Sequence, residues 1–104
     1  MDRLGAESYT LNKKLREQLF LRADLERRYR QEFATAASTL TLTGTPATLV
    51  QAQVRGDSSV ADKRCLRDKA DAEIECIRER IRDIRVAQEV LRSQLAYAKG
   101  GHNE

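Results

Sequence analysis

Residues that could do chemistry are few in this sequence and stand far apart. Cys65 and Cys76 are the only thiols, and His102 is the only imidazole. If both cysteines lie on one helix, their spacing separates them by roughly 16 Å along its axis, which is too far for a disulfide. His102 has no cysteine or carboxylate at metal-ligand spacing, and the sequence contains no glycine-rich phosphate loop. We therefore predict a non-enzymatic protein with no metal and no cofactor.

The triplet Arg55-Gly56-Asp57 has the form of an integrin-adhesion tripeptide, but its residues also have local structural uses. Gly56 tolerates the left-handed conformation that ends many helices, and Asp57, Ser58 and Ser59 are all good N-cap residues for a following helix. Ser59 with Asp62 resembles a capping box. Adhesion would require secretion, which nothing in the sequence indicates. We interpret the triplet as a corner between two helices.

Arginines are the third candidate group. Three cluster in "LERRYRQ" beside Tyr29, and three more recur at intervals of seven in the second half of the chain. Arginine binds phosphate and carboxylate groups through paired hydrogen bonds, so these six could form a surface for an anionic partner. The alternative, which we favour, is that they pair with Glu and Asp of a neighbouring helix. The six are Arg27, Arg28, Arg30, Arg78, Arg85 and Arg92.

The elements that position these residues are predicted to be helices, and the second half of the chain predicts the longest. From Ala70 onward apolar residues recur in alternating steps of four and three, with Gln88 in the one polar position. This heptad pattern predicts a helix over about 58–99, ended by Gly100 and Gly101 and followed by a flexible tail over 100–104. Its apolar positions are Val60, Leu66, Ala70, Ile74, Ile77, Ile81, Ile84, Leu91, Leu95 and Ala98.

The first half predicts a second long helix over about 8–38, from a less regular 3.6-residue period. Its apolar face widens at "LFL", where Leu19, Phe20 and Leu21 offer more apolar surface than one partner helix would cover. The predicted periodic positions are Leu11, Leu15, Leu19, Leu25, Tyr29, Phe33, Ala36 and Leu40.

Residues 39–57 are predicted to form a tip between the long helices. "TLTLT" alternates like a short strand. Thr45-Pro46 has the pattern of an N-cap followed by proline at the first helical position, which predicts a short helix over about 46–54. The chain then turns back, so the long helices can pack antiparallel.

Composition agrees with this all-α class. Charged residues make up 34% of the 104 residues and aromatic residues only 5%, which is typical of long solvated helices. We predict a single domain over 1–104, an antiparallel helical hairpin that resembles a coiled coil, with a short helix or extended tip between the long helices.

A two-helix hairpin of this size buries little surface, so we expect it to form a homo-oligomer. Gln88 would then help to fix the register of the association, as polar core residues do. A protein partner of another kind is also expected. The predicted oligomer interface comprises Leu19, Phe20, Leu21, Ile74, Ile77, Ile81, Ile84, Leu91 and Leu95.

Charge and hydropathy leave the nature of the partner open. The net charge of +3 permits a nucleic-acid partner but does not argue for one. No apolar run has the length of a signal peptide or a membrane span, so we expect no membrane partner and a cytoplasmic location.

The run over residues 47–100 resembles small helical proteins of tailed phages. That family often has an "A.VR.D..V" corner followed by a long helix with a leucine-rich end. Ser58 departs from the family pattern, since proline is typical at that position. The residues that match the corner are Val54, Arg55, Asp57 and Val60.

The resemblance implies a phage protein of the host cytoplasm, encoded in an early region near recombination or single-strand-binding functions. It carries over no functional residue, because the family has no established site. The sequence thus favours a small, oligomeric binding or accessory protein in phage DNA metabolism. The alternatives are a phage structural or assembly protein, such as a scaffold, chaperone or connector component, and an inhibitor of a host protein.

Overall fold

Three helices make up almost all of the chain. The computed structural model describes residues 2–101 and contains α1 (Arg3–Leu42), α2 (Ala47–Gly56) and α3 (Ser58–Gly101). The described residues contain no strand, so the all-α prediction is confirmed. The molecule is elongated, with extents of 84 × 24 × 14 Å. His102 and the rest of the predicted tail after Gly101 lie outside the described residues.

Both long helices extend beyond their predicted bounds. α1 begins five residues earlier than predicted, at Arg3, because the side chain of Asp2 accepts a hydrogen bond from the backbone N–H of Gly5 and caps the helix. α3 continues through Gly100 to Gly101, two residues past the predicted end at residue 99. Glycine permits a left-handed helix end but does not require one.

The segment "TLTLT" is helical, and the prediction of a short strand there is wrong. Its first four residues form the last turn of α1 and Thr43 is the C-cap, and the threonine hydroxyls donate to backbone carbonyls of the preceding turn. Thr39 donates to the carbonyl of Thr35, and Thr41 donates to that of Ala37. These bonds let β-branched residues complete a helix that the preceding turns have already begun.

Gly44 ends α1, in the conformation that the sequence analysis had assigned to Gly56. Its φ is +88°, in the left-handed region. The N–H of Gly44 bonds to the carbonyl of Thr41, and the N–H of Thr45 bonds to the carbonyl of Leu40, which together form a Schellman motif. Gly56 instead lies in the last turn of α2 with a negative φ.

The corner between α2 and α3 is built by Asp57. Its backbone is extended, and its carboxylate accepts hydrogen bonds from the N–H groups of Ser59 and Val60. Asp57 is therefore the N-cap of α3, as predicted, while the hydroxyl of Ser59 donates to Glu32 of α1. At the other end of α2, Pro46 is the N-cap and not the predicted first helical residue, so α2 begins one residue later than predicted, at Ala47.

Ion pairs show how α1 and α3 lie side by side. Near one end of the molecule Arg80 donates to Glu7 at 2.8 Å, and farther along Arg67 donates to Glu26 at 3.1 Å. Partners later in α1 are earlier in α3, so the two helices run in opposite directions. The short α2 packs against both.

The core is narrow and comes mostly from α3. α1 contributes one buried residue, Leu25, and α2 contributes Val54, and Val54 and Val60 are both 0% exposed. Four isoleucines of the predicted oligomer interface belong to this intrachain core and are covered by α1, so they are not available on the surface of the folded chain. The buried residues are Leu25, Val54, Val60, Ala70, Ile74, Ile77, Ile81 and Ile84.

Candidate protein-interaction surface

A polar cluster joins the two long helices near their middle. Arg67 of α3 is only 20% exposed and bonds to both Glu26 and Asp68. Its guanidinium carbon lies 4.6 Å from the ring centroid of Tyr29, a cation–π distance. The Tyr29 ring in turn meets Phe33 edge-on, with centroids 6.1 Å apart. The cluster therefore ties an aromatic pair on α1 to a charge on α3.

The ionisation of this cluster is set by its own partners. The hydrogen bond from Arg30 lowers the pKa of Glu26, burial partly opposes that shift, and the bond from Arg67 lowers the pKa further. For Arg67, burial alone would lower the pKa, but hydrogen bonds to Asp68 and Glu26 outweigh it and the pKa is raised. Glu26 and Arg67 are therefore held in their charged forms.

Arg67 was not among the apolar positions predicted for the second long helix, although it lies on the same heptad spacing. Continuing the steps of three and four backward from Ala70 leads to position 67, then 63, then the buried Val60. The sequence analysis chose Leu66 because it is apolar, yet Leu66 is 45% exposed. The regular spacing indicates that position 67 faces α1, but the sequence analysis passed over it because arginine is polar.

The middle of α1 carries its apolar residues on the outside. Along the inward-facing side of α1, Leu11 and Leu15 are followed by Gln18 and Arg22. Arg22 bonds to Asp71 of α3 at 2.9 Å. The apolar side chains between these polar residues are left partly exposed. Leu19 is 42% exposed, Phe20 is 65% exposed and Leu21 is 45% exposed. We call these three residues the α1 patch.

A second exposed apolar region lies where α3 extends beyond the start of α1. Ile84 is 1% exposed, whereas every residue over 89–100 is exposed. Leu91 is 50% exposed and Leu95 is 65% exposed, although both continue the line of the buried isoleucines. We call residues 89–101 the free end of α3. Thirteen helical residues extend it by about 20 Å.

The six predicted arginines do not form one surface. Arg27 and Arg28 pair with Asp24, and Arg30 pairs with Glu26, all within α1. On α3 two more are paired within one turn, Arg78 with Glu75 and Arg92 with Glu89, while Arg85 has no ion pair within the described chain. These partners reduce the positive potential that a phosphate would meet.

Other reactive groups are scattered. Cys65 and Cys76 are free and exposed. Residues 2–101 contain no group of three or more His, Cys, Asp or Glu side chains arranged to hold a metal ion. Over the same range, no helix has a stretch long and apolar enough to cross a bilayer. Comparison with protein-family models, with curated proteins and with solved structures gives no match for the chain.

Proposed function

We propose that this chain is a non-enzymatic, coiled-coil-like helical hairpin that acts by binding proteins, including further copies of itself. One observation carries the proposal. In the middle of α1 the positions that face α3 hold Gln18 and Arg22, while Leu19, Phe20 and Leu21 face outward. A helix with only one partner would gain from the opposite arrangement.

The energetics favour a partner on the α1 patch. Fully burying a large apolar side chain contributes about 1.5–3 kcal/mol, and each residue of the α1 patch would contribute the part of this that its exposed fraction allows, which is largest for Phe20 at 65%. The intrachain core of eight buried residues is small for a chain of this length. Association through the patch would therefore add a substantial fraction of the stability of the folded state.

The face of α1 next to the patch suits a second helix. Ala23 and Ala34 lie with Arg27 and Gln31 around a shallow open groove of about 460 Å³. Alanine side chains let another helix approach closely, and the polar residues can form the rim of an interface. Two copies related by a two-fold axis would each cover the α1 patch of the other.

Light scattering at micromolar concentration tests this proposal directly. We expect a mass that is a multiple of 11.8 kDa for the wild type. Phe20→Glu should shift the protein toward the monomer with loss of helicity. Leu42→Glu is the matched control, because Leu42 is 87% exposed at the other end of α1 and should leave the mass unchanged. A heat-stable wild-type monomer would refute the proposal.

For the biological setting, the phage resemblance supports an accessory role in DNA metabolism, with phage assembly and inhibition of a host protein as the alternative settings.

Direct contact with DNA is the second candidate function. It is favoured by the exposure of Arg27, Arg28 and Arg30, which are 60%, 54% and 77% exposed. Electrophoretic mobility shifts with single- and double-stranded DNA at two salt concentrations test it. Binding that weakens strongly with salt would support phosphate contacts, and no shift at low salt would exclude them.

A further inference from the structure

We propose that the free end of α3 is a docking site for an amphipathic helix of another protein, one that carries carboxylates along one flank. This inference rests on the proposed protein-binding function but uses a surface distinct from the α1 patch. The first observation is that the heptad pattern of α3 continues beyond the part of the helix that α1 covers. The line that α1 buries at Ile77, Ile81 and Ile84 continues with unbroken spacing through Leu91 and Leu95.

The described part of α1 does not reach the free end of α3. Asp2 caps the start of α1 and lies beside Leu91 and Arg92 in an open groove of about 530 Å³ that also involves Leu95. Beyond that level no residue of the described chain covers α3. The free end continues a helix that is already formed, so a docked helix would add burial of its exposed leucines.

Charge determines which helix fits. Arg85, Arg92 and Lys99 are spaced by seven residues and therefore form one basic flank beside the apolar line. Over residues 85–101 the single acidic residue is Glu89, which pairs with Arg92 at 2.9 Å. Both members of that pair are largely exposed, so the pair is weak and Arg92 can exchange to a carboxylate on a partner.

A second copy of the chain fits this surface poorly in the antiparallel orientation. An antiparallel pair of free ends would place Leu91 opposite Leu95, in good heptad register. The same register would place Arg92 opposite Arg92 of the other copy and Arg85 opposite Lys99. Like charges beside a coiled-coil seam oppose association, so a complementary acidic helix is favoured over self-pairing.

Fluorescence anisotropy with a designed peptide tests the inference. The probe is a labelled peptide of about three heptads, with Leu at the two core positions and Glu at the flanking positions. Its glutamates repel one another and keep it monomeric. We expect a Kd on the order of micromolar for this small interface, and binding about tenfold weaker for a control peptide with Lys in place of Glu.

Variants locate the binding. Leu95→Ser should weaken binding of the Glu peptide about tenfold, since Leu95 continues the apolar line. The double variant Arg92→Glu, Lys99→Glu should reverse the preference and favour the Lys peptide. Arg27→Gln with Arg28→Gln is the control for nonspecific charge, and should leave binding unchanged. Circular dichroism should show folded protein in every case, because the free end has no tertiary contact to lose.

Any other outcome of these binding measurements contradicts the inference or part of it. No binding of either peptide overturns the docking site, and equal binding of both overturns the acidic flank. Sedimentation that shows self-association lost in Leu95→Ser would assign the free end to a second copy instead. Phe20→Glu separates this inference from the proposed oligomer, because it should reduce self-association, while the fraction of protein that circular dichroism shows to be helical should bind the Glu peptide as tightly as the wild type.

Discussion

The guanidinium of Arg67 on α3 covers the ring of Tyr29 on α1, with 4.6 Å between the guanidinium carbon and the ring centroid. The same guanidinium donates to Glu26 on α1 at 3.1 Å. A planar group held by a ring on one side and a carboxylate at its edge has little freedom to slide along the neighbouring helix. The contact therefore fixes the register of α3 against α1.

Replacing this side chain should destabilise the fold. We expect Arg67→Ala to lower the free energy of unfolding by about 2 kcal/mol, from the lost charged hydrogen bond and the lost cation–π contact. Urea unfolding followed by circular dichroism measures the change. Arg30→Ala is the control, because Arg30 is 77% exposed and its loss should cost less than about 0.5 kcal/mol. Equal losses in the two variants would contradict the role of Arg67.

Acid should weaken the fold through Glu26. Its pKa in the folded chain lies below the ordinary value of 4.5, so the unfolded chain binds the proton more readily. The stabilisation is therefore fully present above pH 4.5 and is lost as the pH falls through the lower, folded-state value. Urea midpoints measured from about pH 6 to about pH 3 should fall less steeply for Glu26→Gln than for the wild type. Urea midpoints that fall equally steeply in the two proteins would show that Glu26 does not contribute to the pH dependence of stability.

Two residues on one heptad line should differ sharply in their effect on stability. Ile84 is 1% exposed, and Ile84→Ala should lower the free energy of unfolding by about 2–5 kcal/mol. Leu95 is 65% exposed, so Leu95→Ala should cost less than about 0.5 kcal/mol. Thermal unfolding at one protein concentration compares the two. A large loss in Leu95→Ala would mean that the free end is already covered, within the chain or by another copy.

The corner before α3 offers a test of the capping residue. Asp57 accepts from two backbone N–H groups, so Asp57→Ala should cost about 1 kcal/mol. Asp62→Ala should cost less than about 0.5 kcal/mol, because the Ser59 hydroxyl bonds to Glu32 rather than completing a box with Asp62. Urea unfolding of both variants is the measurement. A larger loss of stability in Asp62→Ala than in Asp57→Ala would show that Ser59 and Asp62 do form a capping box.

Much of this protein is determined locally. The alternation of three and four residues from Ala70 to Ala98 predicts a long helix because that spacing aligns side chains on one face whatever the surroundings. Asp57 is readable as an N-cap because the cap acts within three residues of itself. The left-handed residue was assigned to Gly56 instead of Gly44, since both glycines permit that conformation and the completed turn of α1 selected one.

The tertiary structure decided which residues of each helix face the other. Neighbouring helical positions differ by about 100°, so "QLFL" and "CLR" each offer several inward choices that are locally equivalent. The pairing of α1 with α3 resolved them, turning Gln18 inward and Phe20 outward and placing Arg67 rather than Leu66 against Tyr29. It also left the end of α3 uncovered, because that depends on the length and register of α1. Contacts between distant residues set both quantities, and the periodicity within one helix carries no information about them.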